Sequence, residues 1–572
     1  MKKIIFRTAA LSLLTAGMVG CTDDLDISSI DPQSDSGYEV EELLAKQYAT
    51  LGLTGQDGGS GDGDISGDEG ETGFYRTFFN LQELCSDECI WAWQTDEDIP
   101  AITNIAWTSS STRVNWCYQR LGYDITLYNQ FITEQSGQID DDIIAEVRFL
   151  RALHYTYFLD LFHKAPFKDT YDSELPVEMA GQELYDWIDN ELTEIESILK
   201  DVGYYCDSDG FGRADKGAAY ALHARLALNS EIYTDGATSD YAKAIEYCTK
   251  VIESDAYELS ESDEAYLYDP DNNEYSGYAL VFMGDNDENS QAMKETIFPI
   301  RQDGLSTRAY ACSTYLVSSM RISGMPYCNI DNYWSCNFAR QDLVEKFFPD
   351  LDIPMADEDS YNSYLSENGL DATALSEDDI IAMDDVVGGS TKQIIEAAGD
   401  DRAMFYMGCG GGIRSLSPGS NITGFTNGAS IVKWSNLRSD NSSRHDDTFS
   451  DTDVPLIRLA EMYLTRAEAY YRQGNTSSAL TDLNVLRNRA HADEAETIDE
   501  DVLIDEWCKE FYMEGRRRSD LVRFGLFTGS AYLWDFKGGV SGGSGVESKY
   551  NVYPIPDDDI SGNPNMTQNE GY

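Results

Sequence analysis

A mainly α-helical fold of paired helices, interrupted by an irregular, loop-rich lobe with short strands, is predicted by three features of the sequence. Apolar residues recur at three- and four-residue spacing over long stretches. The stretches come as helix–turn–helix pairs, and the pairs recur. Between Tyr257 and Asp453 glycine, serine and aspartate displace that pattern. The clearest pair is Val454–Ala490. Leu459, Tyr463, Ala467 and Tyr470 stripe its first helix, and Ala479, Leu483 and Leu486 its second, with a turn at Gly474–Ser477. Small Ala467 and Ala479 let the helices approach closely. These offsets match the tetratricopeptide pattern, with Arg466 where that pattern prefers leucine. One hairpin cannot bury its own stripe, so partners are expected elsewhere in the chain.

In chain order, Lys2, Lys3 and Arg7 precede the apolar run Thr8–Val19, a secretory signal too short to span a bilayer. Gly20-Cys21 resembles a bacterial lipobox, which implies cleavage before Cys21 and lipid attached to it. Acyl chains at about 0.8 kcal/mol per buried CH₂ would make that anchor effectively permanent. The acidic start Thr22–Asp26 resembles the surface-export signal of Bacteroidetes lipoproteins. The expected organisation is a signal peptide over 1–20, a lipidated cysteine and tether over 21–37, and a helical part over 38–256. An irregular ligand-binding lobe over 257–453 and a C-terminal part over 454–572 complete it, with 21–572 forming one compact unit.

Within the helical part, periodicity predicts helices over Tyr38–Gly52, Phe74–Asp87, Val114–Glu134, Ile143–Phe162, Leu184–Leu199, Lys216–Tyr233 and Tyr241–Ser254. Ala152 and Tyr155 are spaced like Ala467 and Tyr470, and Ala244, Cys248 and Val251 like Ala479, Leu483 and Leu486. Gly55–Gly73 reads as a solvated loop. Its Asp62-x-Asp64-x-Ser66-Gly67 copies the opening of an EF-hand, but Gly73 stands where the bidentate glutamate belongs, so calcium is the secondary reading. In the lobe, Tyr278–Met283, Thr296–Arg301 and Ala429–Trp434 read as strands, and nearly 200 residues are too many for one bare loop. Asp501–Phe524 reads as a single helix whose alternating charges suit salt bridges better than phosphate binding.

The formal net charge is −61, and without Lys2, Lys3 and Arg7 it becomes −64. A chain so acidic is no nucleic-acid binder, since such proteins present basic patches. With 36 Tyr and 9 Trp, the surface is expected to set aromatic faces among carboxylates, which suits neutral, hydroxyl-rich ligands. The ten cysteines after Cys21 lack paired spacing and read as buried small hydrophobes. Five isolated histidines give no support to a zinc site, and no metal or other cofactor is expected.

Four motifs then resemble the SusD/RagB-like family of outer-membrane nutrient-binding lipoproteins. They are Tyr553-Pro554-Ile555-Pro556 with Asn563-Pro564-Asn565 and Gln568–Tyr572; Glu510-Phe511 through Glu514-Gly515-Arg516 to Arg523-Phe524; Ala145-Glu146 with Phe149–Ala152; and Asp401–Phe405. Glu570 replaces the proline usual in the closing motif. The resemblance implies a SusD-like fold and a cell-surface, lipid-anchored protein of the outer membrane. It further implies that the protein captures a glycan and passes it, without catalysis, to a SusC-like TonB-dependent transporter. The stretch Gly73–Asp98 is similar to the region that supplies sugar contacts in starch-binding members; spacing carries these onto Arg76, Trp93 and Asp96, the last in place of asparagine. From the lobe the same likeness selects Tyr310 and Trp334, with Tyr315, Tyr327 and Tyr333 in reach of the same role. Trp91 and Trp93, two apart, are expected to face different ways, one of them toward the core. A pyranose lays its apolar C–H face on such rings while its hydroxyls pair with a donor fork such as arginine's. Two other classes fit the composition: a glycoside hydrolase, which needs only two carboxylates about a cleft, and a peptide-binding tetratricopeptide adaptor.

Overall fold

The computed structural model describes residues 39–55, 59, 63–67, 70–206, 210–322, 324–417 and 422–572. Cys21, the signal segment and Asp62 therefore lie outside the described residues. The chain divides into two units, 1–45 and 46–572. The described part of the first is the opening of the helix Val40–Ala49, and every later element belongs to the second.

Helices dominate. Thr112–Gln135 packs on Asp141–Phe162, which packs in turn on Gly181–Glu196. Lys216–Leu228 pairs with Tyr241–Ile252, which packs against Leu459–Arg472 and so reaches the hairpin Leu459–Arg472/Thr476–Arg489 across the inserted segment. Local chemistry sets several boundaries. Asp215 caps the helix at Lys216 by accepting from the Gly217 and Ala218 amides, and Asn475 caps Thr476–Arg489 by accepting from Ser478. Gly474, at φ +80°, turns the chain between the paired helices.

Of the stripe expected on the two hairpin helices, Leu459, Ala467, Ala479, Leu483 and Leu486 are buried, while Tyr463 and Tyr470 are half-buried and Ala460 and Leu464 take their place in the core. Ala227, Leu228, Tyr241, Ala244, Ala460, Leu464, Leu486, Trp507 and Phe511 make one buried cluster, and Ala467, Leu483 and Leu503 another. Alanines lie where helices meet closely, and large side chains fill the space around them. Arg466, the departure from the repeat pattern, has a specific use. Its guanidinium grips Asp482 through two bonds of 2.8 Å and donates to Thr249 Oγ1, tying the two hairpins together.

Asp501–Phe524 is not one helix. It divides into Glu500–Phe511 and Arg517–Arg523, with Met513 and Gly515 at positive φ between them. Buried carboxylates cause the break: Glu88 accepts from the Met513 amide at 2.9 Å, and Glu83 accepts from the Gly515 and Arg516 amides at 2.7 and 2.8 Å. Those amides would otherwise continue the helical ladder. The arginines are structural: Arg516 pairs with Asp520, Arg517 with Asp87 and Arg523 with Glu468.

The inserted segment holds more helix than its composition suggests. Ser313–Met320, Glu358–Asn368, Glu377–Val387 and Thr391–Ala398 are helical, and Tyr278–Met283, read as a strand, overlaps the short helix Gly277–Leu280 capped by Ser276. Capping sets the start of the last three of the four longer helices. Asp357 and Ser390 each accept a first-turn amide, and Ser376 forms a reciprocal box with Asp379. The acidic outer faces of Glu358–Asn368 and Glu377–Val387 hide an apolar periodicity that serves only a small core around Ile380, Met383 and Val387, whereas Ser313–Met320 is buried along its whole length. The strand Thr296–Ile300 forms as read, pairing antiparallel with Val454–Arg458.

A buried ionic network joins this segment to the C-terminal helices. Arg402 pairs with Asp400, Glu506 and Glu510. Arg458 pairs with Glu295, Glu510 and Glu514, and Arg489 with Glu295 and Glu510. Lys433 meets Glu514 at 2.7 Å, and burial pulls its pKa down to about 8. Burial raises the Glu510 pKa, but Arg489, Arg458 and Arg402 outweigh it and leave the carboxyl well below the usual range. Two of the four family-like motifs, those at Asp401 and Glu510, thus meet in the interior.

All ten cysteines after Cys21 are free thiols, and every one but Cys206 is buried. No helix among the described residues is long and apolar enough to cross a membrane.

Candidate functional site

Four backbone contacts and one arginine side chain assemble the candidate site. The helix Phe74–Glu83 begins beside Ala311, whose carbonyl accepts from the Arg76 amide at 3.0 Å. The strand Cys89–Trp91 pairs antiparallel with Asn337–Ala339, setting Trp91 opposite Asn337. The Ala92 amide extends that pairing to the Cys336 carbonyl at 2.6 Å, and the Arg340 guanidinium donates to the Cys89 carbonyl at 2.8 Å. The Trp334 amide donates to Ser318 at 2.7 Å, anchoring the run before the second strand on the helix Ser313–Met320. Residues some 240 positions apart are thereby brought together.

Arg76, Tyr310 and Trp334 form one cluster. The rings of Tyr310 and Trp334 lie 5.7 Å apart, tilted by 52°, so they present neighbouring facets rather than a closed sandwich. Both are half-buried. Arg76 is only 6 % exposed, with its guanidinium 4.6 Å from the Tyr315 ring and 5.4 Å from the Trp334 ring. One terminal nitrogen donates to the Tyr310 carbonyl at 3.2 Å, and the other meets Glu71 at 3.3 Å. Glu71 is shared with Arg113, at 2.9 Å. Burial lowers the Arg76 pKa, and the neighbouring Tyr315 and Glu71 oppose that shift; an arginine keeps its charge throughout the ordinary pH range. Arg76 is thus a cation held against the Tyr315 and Trp334 rings, with its fork committed to the Tyr310 carbonyl and the Glu71 carboxylate.

Trp93 and Asp96 lie on the adjoining loop. Trp93 is 39 % exposed, whereas Trp91 is 3 % exposed and stacks on Tyr315 at 5.9 Å. The two tryptophans face different ways, as their spacing requires. Asp96 accepts from the Trp91 indole N–H at 2.9 Å, so one of its oxygens fixes the buried tryptophan. Among the tyrosines in reach of the platform role, Tyr315 is fully buried behind Trp334 and Tyr327 packs on Tyr268. Tyr333 is exposed, beside Arg321.

Sequence reasoning missed two rings. Phe449 packs against Tyr310 at 5.1 Å, and Phe425 meets Trp93 edge to face at 6.3 Å. Neither has a periodic signal around it; both sit in turn-rich runs of glycine, serine, threonine, asparagine and aspartate.

In the Gly-rich loop, Asp64 lies 3.5 Å from Arg120. Among the described residues no group of three or more histidine, cysteine, aspartate or glutamate side chains is gathered to hold a metal ion.

Paired helices thus carry irregular loops on which Tyr310, Trp334 and Trp93 keep part of their rings open to solvent. Comparison with known proteins identifies the family: a sequence model of the SusD family matches residues 382–572. The starch-binding protein SusD of Bacteroides thetaiotaomicron is 51% identical over 576 residues, spanning 100% of this chain and 99% of that one. The chain belongs to the SusD family. The SusD-like protein P25 of Formosa agariphila is 25% identical over 78% of this chain and 75% of its own length. Among solved structures, a SusD-like protein from Bacteroides fragilis superposes with a TM-score of 0.63 at 20% identity, covering 96% of this chain and 100% of its own. Surface glycan-binding protein A of B. thetaiotaomicron, solved in complex with laminarihexaose, gives a TM-score of 0.59 at 18% identity, with 92% and 98% covered. The fold is therefore SusD-like, mainly helical, with an irregular lobe carrying short strands.

Proposed function

We propose that the chain is a cell-surface lipoprotein that binds a neutral glycan of the starch type and delivers it to a SusC-like TonB-dependent outer-membrane transporter, without cleaving it. The observation that carries this reading is end-to-end likeness to a protein named for starch binding, joined to the Tyr310–Trp334 ring pair whose Trp334 lies over Arg76. The acidic surface agrees with an uncharged ligand. In this reading Tyr310, Trp334 and Trp93 take sugar faces, and Arg76 holds Trp334 in place while offering positive charge beneath it. The free oxygen of Asp96 accepts from a hydroxyl. Three ring contacts at roughly 1 kcal/mol each by area burial, with a few hydrogen bonds, give about 4 kcal/mol and a Kd near about 1 mM. Weak binding fits a protein that must release its cargo.

The test is incubation of purified protein with soluble starch, following retardation on a starch-containing gel and the release of reducing ends. Retardation with a flat reducing-end signal is expected; a signal rising steadily with time would establish a hydrolase instead. Anchoring through Cys21 rests on the lipobox likeness and has its own readout. Cys21→Ala should move the protein from the membrane to the soluble fraction and end its co-purification with a large β-barrel protein. Unchanged membrane retention would defeat the anchor.

A further inference from the structure

We infer that Phe425 is a fourth ring of the carbohydrate surface, forming a corner with Trp93 for one more unit of a neutral pyranose chain, and that Arg414 positions it. This rests on the reading of the surface as a glycan site. The strand Asn337–Ala339 lies at the centre of the argument. One side pairs with Cys89–Trp91, which runs into Trp93. The other is bridged by Ala429, with the Ala339 amide donating to the Ala429 carbonyl at 2.9 Å, and the chain just before Ala429 carries Phe425. One strand therefore sets the two rings side by side.

The loop's conformation is enforced by side-chain chemistry. Arg414, 5 % exposed, donates to three backbone carbonyls: Gly428 at 2.9 Å, Phe425 at 3.2 Å and Asn427 at 3.2 Å. Its guanidinium lies 4.4 Å from the Phe338 ring, and no carboxylate among the described residues pairs with it. Burying a cation without a counter-charge is costly, and three carbonyl bonds in a segment without regular ladders are the compensation. Gly428, at φ +77°, is pressed so closely on the strand that a Cβ would lie 2.4 Å from the Ala339 carbonyl oxygen. The loop is pinned from both ends of its descent.

What this pinning presents is a phenylalanine left 44 % exposed beside a tryptophan left 39 % exposed. Single exposed apolar residues are ordinary, but two large rings in contact, with one loop fixed by a buried arginine, make a built surface. The planes meet at 68°, so each ring keeps an open face, and a sugar stacked on one abuts the other. Phe425 carries no polar atom, so it accepts the C–H face of a pyranose and adds nothing for a charged group.

The test titrates the full chain with malto-oligosaccharides of three and seven units, following Kd by calorimetry and folding by thermal melting. Phe425→Ala is expected to weaken the seven-unit ligand about 3- to 5-fold with an unchanged Tm, and Phe425→Tyr to restore it. Arg414→Met should weaken the same ligand similarly. In a Trp93→Ala background both substitutions should cost much less than alone, a coupling that a merely structural role would not produce. Phe425→Ala binding like the unsubstituted protein, while Trp93→Ala is weakened, would overturn the inference and leave the glycan site standing. Failure of the unsubstituted protein to bind either sugar would overturn both.

Discussion

Glu510→Ala is expected to destabilise the protein by about 3–5 kcal/mol, the range typical of removing one partner from a buried ion pair. Glu510 is fully buried and receives Arg402, Arg458 and Arg489. Its removal leaves three guanidiniums facing Asp400, Glu295, Glu506 and Glu514 with one negative charge fewer. The effect should appear as a lower urea midpoint, and a change under about 0.5 kcal/mol, the scale of ordinary surface substitutions, would show that the network contributes little. The same network sets an acid dependence. The Glu510 carboxyl is held below its unfolded value, and so is that of Asp87, where burial is outweighed by Arg517. When pH falls below about 4.5, the unfolded chain takes up protons that these folded carboxylates refuse. Stability is therefore fully present above the unfolded carboxylate pKa and lost as pH falls through the folded values. Glu510→Gln should flatten that acid slope as well as lower the plateau.

Trp93→Ala combined with Trp334→Ala is expected to weaken glycan binding by about 30-fold, on the basis of roughly 1 kcal/mol per ring face and tenfold per 1.4 kcal/mol. The two single substitutions should differ in their side effects. Trp93 stands on a loop and is well exposed, so its loss should leave the melting temperature nearly unchanged. Trp334 is half-buried and covers the Arg76 guanidinium, so its loss should lower the melting temperature as well as the affinity. Equal melting shifts for the two would contradict the placement of Trp334 over Arg76; unaltered affinity in the double variant would remove both rings from the site.

The helical scaffold was legible in the sequence because its helices bury stripes that periodicity reveals, as at Thr476–Arg489 and Tyr241–Ile252. The break after Phe511 was not, since it depends on Glu83 and Glu88 reaching amides more than 400 residues away. The lobe helices Glu358–Asn368 and Glu377–Val387 were hidden for a different reason: they are short, acidic and settled by caps rather than by a continuous stripe. At the site, likeness to a family selected Arg76, Tyr310 and Trp334, and the structure gathers them around one guanidinium. Phe425 carried no signal, because its position is set by Arg414 and by a strand 90 residues earlier. Loop residues of this kind are fixed by tertiary partners, and no local pattern announces them.

Calorimetric titration of the purified chain with a seven-unit malto-oligosaccharide, beside the Trp93→Ala/Trp334→Ala variant, tests the central claim most directly. A Kd of the order of 1 mM for the unsubstituted protein, lost in the variant and accompanied by no cleavage of the sugar, is the predicted result. Binding of equal strength in the two proteins, or no heat of binding with either, would contradict it.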